Sequence, residues 1–165
     1  MNAHFIAAKL LEDETDNPEE FLKGDFLSGS PIDNADDKAR KEALDEFVRS
    51  YALTALWSTA DADGLALDET YDVDDIDDDT MRSMRDDCED FITSNLDLLQ
   101  KTEESIAGYS VDYMAQGRDF WLSRNGHGAG FFDHGWEDVW RELQAAARVY
   151  GTVNLSPTED GKITM

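Results

Sequence analysis

Phe120-Trp121-Leu122-Ser123-Arg124-Asn125-Gly126-His127-Gly128-Ala129-Gly130-Phe131-Phe132 is the stretch whose reading decides the fold. Two aromatic, strand-like runs flank a segment with three glycines. An Asn-Gly pair between such runs signals a β-hairpin, because both turn residues need positive φ. Working outward, Trp136 to Tyr150 carries Trp136, Val139, Trp140, Leu143, Ala146, Ala147 and Tyr150 at helical spacing, and Gly151 closes it as the residue after the cap. Thr152 to Leu155 and Lys162 to Met165 read as short strands joined by a turn through Pro157 and Asp160-Gly161. Upstream, Val111 to Gln116 reads as a short helix ending at Gly117.

Two longer helices precede these. Between Asp36 and Trp57, residues Leu44, Phe47, Val48, Tyr51, Ala55 and Leu56 share one face. Between Thr80 and Lys101, residues Met81, Met84, Cys88, Phe91, Asn95 and Leu98 do the same, with Asp78, Asp79 and Thr80 as capping groups. Asn2 to Leu11 reads as a short helix, and Glu12 to Asp33 as mostly irregular with a helical turn at Pro18 to Lys23. The expectation is an α+β fold, with three main helices packed on an antiparallel sheet of three or four strands. Residues 1–38 form an acidic extension and 39–165 a single domain.

Charge is the second decisive feature. The 165 residues hold 38 acidic and 14 basic side chains, a net −24. Half of it lies between Asp61 and Asp90, where 12 Asp and 2 Glu meet Arg82 and Arg85. Glu12 to Phe47 adds a net −9, whereas Asp119 to Met165 carries −3. Such a chain is repelled by DNA, RNA and anionic lipid, so direct nucleic-acid or membrane binding is not expected. A basic protein surface is the natural counterpart. The candidate partner-binding residues are Asp61, Asp63, Asp72, Asp74, Asp75, Asp77, Asp78, Asp79, Asp86, Asp87, Glu89 and Asp90. A charge run is usually a solvated face. These acids, however, sit on and between helices, and ordered carboxylates present a fixed pattern that a floppy tail does not.

Thr59-Ala60-Asp61-Ala62-Asp63-Gly64 invites an EF-hand reading, but Thr59 and Thr70 stand where the loop needs its first Asp and its bidentate Glu. No metal site and no cofactor is expected. His127 lacks partners at a recognised metal spacing, although His134 is near. Arg124, Asn125 and His127 form a possible ligand site, since a basic residue and an imidazole sit among glycine amides. The competing reading is structural: the glycines allow a tight turn and a close backbone approach. Cys88, the single cysteine, falls on a buried stripe and reads as a small core residue. No apolar run reaches the ~18 residues of a membrane span, and the N-terminus is too quickly acidic for a signal peptide, so a cytoplasmic location is expected.

The stretch Gly117 to Asp133 resembles the signature of a family of small acidic proteins of tailed phages and related mobile elements. Ala55-Leu56-Trp57-Ser58-Thr59 and Asp72 to Ile76 are similar to that family as well, so the resemblance covers roughly residues 46–165. It implies a genetic context rather than a reaction, and favours small inhibitors of host nucleic-acid enzymes. Three functions follow as expectations. The first is a non-enzymatic accessory protein that binds a basic host protein, as a DNA mimic in anti-restriction or anti-defence. The second is an enzyme or ligand-binding protein using Arg124 to Gly130. The third is a halophilic protein whose acidity is solvation alone.

Overall fold

The structure, a computed structural model, describes residues 31–105, 112–135 and 138–165. Residues 38–165 form a compact unit. The expected features of residues 1–30, together with Val111 and Trp136, lie outside the described residues.

Helix α1 spans Pro31–Ser58, starting earlier than Asp36. Proline is tolerated there because a first-turn N–H has no intrahelical acceptor to lose. The expected face is buried: Phe47, Val48, Tyr51, Ala55 and Leu56 all belong to the core. From Phe47 to Leu56, Arg49 and Leu53 alone are exposed, and they continue the outer line of Lys41 and Asp45.

The expected helix Thr80–Lys101 is two helices, α2 (Asp78–Ser94) and α3 (Leu96–Ser105). Asn95 makes the break. Its side-chain amide donates to the Phe91 carbonyl at 2.8 Å, and its own carbonyl accepts the Leu98 and Leu99 amides. A short amide side chain that bonds nearby backbone competes with helix continuation. The cap of α2 is also one residue earlier than expected. Asp77, not Asp78 to Thr80, accepts the Thr80 N–H at 2.7 Å.

The largest correction concerns the segment on which the sequence reading rests. Phe120 to Leu122 is not a strand. It lies inside helix α4, Tyr113–Arg124, which runs straight through Gly117 instead of ending there. Gly130 to Phe132 is not its hairpin partner, because Phe131–His134 is a 3-10 turn. Asn125-Gly126 is a helix terminus. Asn125 is the cap, Gly126 has φ 70°, the Gly126 N–H bonds the Ser123 carbonyl and the His127 N–H bonds the Leu122 carbonyl. That bond pair is a Schellman motif, which needs the same positive φ at glycine that a hairpin turn needs.

Helix α5, Asp138–Arg148, buries Trp140, Leu143 and Ala147 as expected, and Gly151 follows with φ 70°. The described residues form five helices and one two-stranded sheet, not three main helices on three or four strands. Strands β1 (Ser156–Pro157) and β2 (Ile163–Thr164) pair antiparallel, Ser156 opposite Thr164 and Pro157 opposite Ile163. The fold is therefore mostly helical, with a small antiparallel sheet.

The core is aromatic and joins α1, α2 and α4. Phe91 and Phe120 stack with centroids 4.1 Å apart, and Tyr51 meets Trp121 edge-on at 5.1 Å. The sheet has a different task. Ile163 bridges Ile76, the Asp77 N–H bonds the Ile163 carbonyl at 3.0 Å, and the Met165 N–H bonds Thr80 Oγ1 at 3.1 Å. The C-terminal strand thereby clamps the start of α2.

Candidate functional site

The twelve candidate carboxylates divide by what they hold. Asp61 accepts the N–H groups of Asp63 and Leu65, closing a small hairpin in which Ala60 bridges Ala66. The run that invites an EF-hand reading is this hairpin. Asp72 and Asp75 form a capping box around the turn Val73–Asp75. Asp77 caps α2, Asp79 pairs with Arg82 and Asp90 accepts the Tyr150 hydroxyl. Asp63, Asp74, Asp78, Asp86 and Glu89 are exposed, and among the described residues their carboxylates have no hydrogen-bond or ion-pair partner.

On α2 the exposed acids lie opposite the core stripe of Met84, Cys88 and Phe91. Asp86 and Asp90, four residues apart, fall on one line of the helix, with Asp79 seven residues before Asp86. At that spacing neighbouring Cβ atoms stand ~6 Å apart. The row is held at several points: Arg85 reaches Asp45 of α1 at 2.7 Å, Asp87 pairs with Arg124, and Tyr150 holds Asp90.

Backbone Thr80 and the Thr164 side chain bond the Asp77 carboxylate and hold it below its ordinary pKa. A depressed folded-state pKa contributes stability above the unfolded value of about 3.8, lost as pH falls through the folded one. Asp77→Ala is expected to destabilise the protein at pH 7. The gap to wild type should narrow below about pH 3.8 in urea titrations at stepped pH.

Arg124 is turned inward. Its Nη1 donates to Tyr51 Oη at 2.5 Å and Asp87 Oδ2 at 2.7 Å, Nη2 to the Tyr150 carbonyl at 2.8 Å and Nε to the Gly151 carbonyl at 2.9 Å. Burial opposes its charge, but Tyr51 and Asp87 outweigh that and hold its pKa above the ordinary value. Burial pushes the Tyr51 hydroxyl up, so it stays a neutral partner. The side chain is only 3% exposed, so every one of these bonds serves the fold. Arg124 is thus separated from the ligand site on which the sequence places it.

Asn125 and His127 do share a cleft of about 390 Å³, lined by residues 58–60 and 152–154 together with Trp121. Asn125 is a strut in its wall, donating to the Trp121 carbonyl at 3.0 Å and accepting the Val153 N–H at 2.8 Å. Trp121 Nε1 donates to Ser58 Oγ at 2.7 Å, fixing a second wall. His127 is exposed at the rim.

Sequence reasoning missed a pair that joins a buried carboxylate to a partly buried imidazole. Asp119 lies in α4 and bonds His134 of the 3-10 turn, whose ring stacks on Trp140 with centroids 4.5 Å apart. Both residues flank the quoted segment, but their convergence depends on the helix-and-turn geometry. The nearby Ser123 hydroxyl donates to Gln144 at 2.6 Å and accepts the Phe131 N–H. Its hydrogen-bonding capacity is spent on the fold, so it is not poised as a nucleophile. Cys88 is fully buried and its thiol is pushed up by burial, which removes it from nucleophilic chemistry.

No protein family, curated protein or solved structure matches the chain. No helix among the described residues is long and apolar enough to cross a membrane.

Proposed function

We propose that the protein is a non-enzymatic binding protein that docks its α2 face on a basic protein surface. The observation that carries this reading is the rigid presentation of exposed carboxylates. Asp78, Asp86 and Glu89 project from a helix whose position is fixed by Asp77, the Arg85–Asp45 and Arg124–Asp87 pairs, and the C-terminal strand. Fixed charges steer and orient a partner without the ordering cost that a disordered acidic tail incurs on binding. The partner is a protein surface that otherwise holds a polyanion, which makes the acidic face a DNA mimic. A phage setting and an anti-restriction role rest on the sequence resemblance.

The test is capture from bacterial lysate with wild type and with Asp78→Asn/Asp86→Asn/Glu89→Gln. These carboxylates have no hydrogen-bond or ion-pair partner among the described residues, so the variant should stay folded. Losing the Asp78 charge in the first turn of α2 costs at most about 1 kcal/mol. The expected result is capture of basic, nucleic-acid-binding proteins that duplex DNA displaces, with about tenfold weaker binding by the variant. Binding should weaken as salt rises, since the Debye length shrinks to ~3 Å at 1 M. Equal binding by the variant, or a complex indifferent to salt, overturns the proposal. Unfolding in dilute buffer with recovery in molar salt favours solvation instead.

A further inference from the structure

The outer line of α1 changes character after Arg49. Up to that residue its exposed side chains are nearly all charged: Lys38, Lys41, Glu42, Asp45, Glu46 and Arg49. Ser50 to Ala60 is then the longest stretch of the chain without a charged side chain. Two large apolar residues in that stretch face water, Leu53 and Trp57, the latter 60% exposed. They stand four and eight residues after Arg49, so the three follow one side of the helix. Met114 is also exposed and lies alongside, because its carbonyl accepts the Ser50 hydroxyl at 2.6 Å. A single exposed Leu is ordinary. A cluster of Trp, Met and Arg that excludes Asp and Glu has the composition of an interface core, and here it sits on a chain of net −24.

The order of the line says what fits it. A two-fold interface brings residue i of one copy onto j of the other, and j onto i. When two α1 helices pack antiparallel about an axis at Leu53, that residue meets its own copy and Arg49 meets Trp57 twice. A guanidinium over an indole is a favoured cation–π pairing. Arg49 is available for it, since it is exposed and has no hydrogen-bond or ion-pair partner among the described residues. The acids one turn before it do not oppose the pairing. Asp45 is held by Arg85 at 2.7 Å, and Glu46 falls beyond the end of the second copy's α1 at Ser58.

We propose that the line of Arg49, Leu53 and Trp57 is the contact through which two copies of this chain form an antiparallel, two-fold dimer. The inference goes beyond the docking role of α2 and does not depend on it. The patch is small against the roughly 800 Å² per partner of a standard interface, so the dimer is weak and reversible. Charge opposes it at long range, because each copy carries −24. Salt therefore tightens the dimer while it loosens docking on α2, and the two proposals separate by that sign.

The test is sedimentation equilibrium of the full chain over a range of concentrations. The expected result is a mass that rises from one chain towards two. The dissociation constant should be on the order of 100 μM at 0.15 M salt and severalfold tighter at 0.5 M. Trp57→Ala should weaken the dimer at least tenfold and Arg49→Gln about fivefold, because each contact is lost twice. Leu53→Lys relieves the overall repulsion by one charge per copy, yet it should abolish the dimer, since two ammonium groups then meet on the axis. All three residues are exposed, so these variants should keep the helical circular dichroism of the wild type. Cross-linking reads the register. On oxidation with diamide, Leu53→Cys should join two copies through a disulfide, while the native Cys88 is buried and stays silent. Glu42→Cys should not, because its two copies stand about 30 Å apart in the antiparallel pair.

A monomer at every concentration overturns the proposal and leaves this face to a different protein or to the chain's own N-terminal residues. A dimer indifferent to Trp57→Ala also overturns it, as does cross-linking of Glu42→Cys in place of Leu53→Cys. A dimer that salt dissociates overturns it too, by assigning association to the charged faces.

Discussion

Arg124→Ala is expected to lower the unfolding free energy by about 3–5 kcal/mol, chiefly by leaving acceptors around the buried guanidinium without a donor. Its ion pair with Asp87, a third exposed, adds less. The guanidinium satisfies four acceptors, three of which have no other bond described for them: Tyr51 Oη and the carbonyls of Tyr150 and Gly151. Alanine leaves them facing a void. Arg124 also lies 5.8 Å from the ring centres of both Phe120 and Tyr150, so dispersion and cation–π contacts go with it. Arg124→Lys should recover little, because an ammonium on a flexible stem does not reproduce a planar fork over four acceptors. Asp87→Asn should cost about 1–2 kcal/mol, since one charge-assisted bond is weakened and the rest of the network stays. Urea unfolding of the three variants reads these differences. A loss under 1 kcal/mol for Arg124→Ala would show that the network contributes little.

Gly117→Ala is the second large effect, and its sign runs against helix propensity. In an isolated helix alanine gains about 1 kcal/mol over glycine. Here a Cβ at residue 117 would stand within 2.2 Å of the Phe47 carbonyl oxygen and 3.0 Å of its carbon. Both atoms are backbone of α1, so no rotamer change relieves the clash. The helices must separate, and the contacts around Phe47 and Phe120 loosen with them. Overpacking costs about 1–3 kcal/mol, and a backbone obstacle puts this site at the upper end after the propensity gain is subtracted. The melting temperature should fall by about 8 °C or more for a chain of this size. An unchanged or raised melting temperature would mean that α1 and α4 do not cross at this glycine.

The same glycine shows why the sequence misleads here. Gly117 reads as a helix terminator, because sequence alone does not show that another backbone lies against it. Phe120-Trp121-Leu122 reads as a strand for a related reason. Of residues 116 to 124, Arg118 alone is not buried. A helix buried all round has no polar face, so its apolar run loses the 3.6-residue rhythm that identifies a surface helix. Asn125-Gly126 then completes the error, since a Schellman cap and a hairpin turn use the same glycine conformation. The amphipathic helices were legible for the opposite reason. On α1, α2 and α5 one face meets the core and the other meets water.

The candidate site divides in the same way. The acidic residues were legible as composition, but not by task. Asp86 and Asp87 are adjacent in the chain, yet one is free and the other is paired with the buried Arg124. Likewise Asn125 and His127 point to a site, but Thr59, Thr152 and Asn154 join them from distant segments.

By itself the sequence determined the charge, its concentration between Asp61 and Asp90, and the helices with a polar face, because these depend on residue type and local period. Tertiary structure alone decided that the aromatic segment is a helix, that Arg124 belongs to the core and that three helix ends meet at one cleft. Each of these depends on which surfaces touch, and a close approach between segments seventy residues apart leaves no periodic mark in either one.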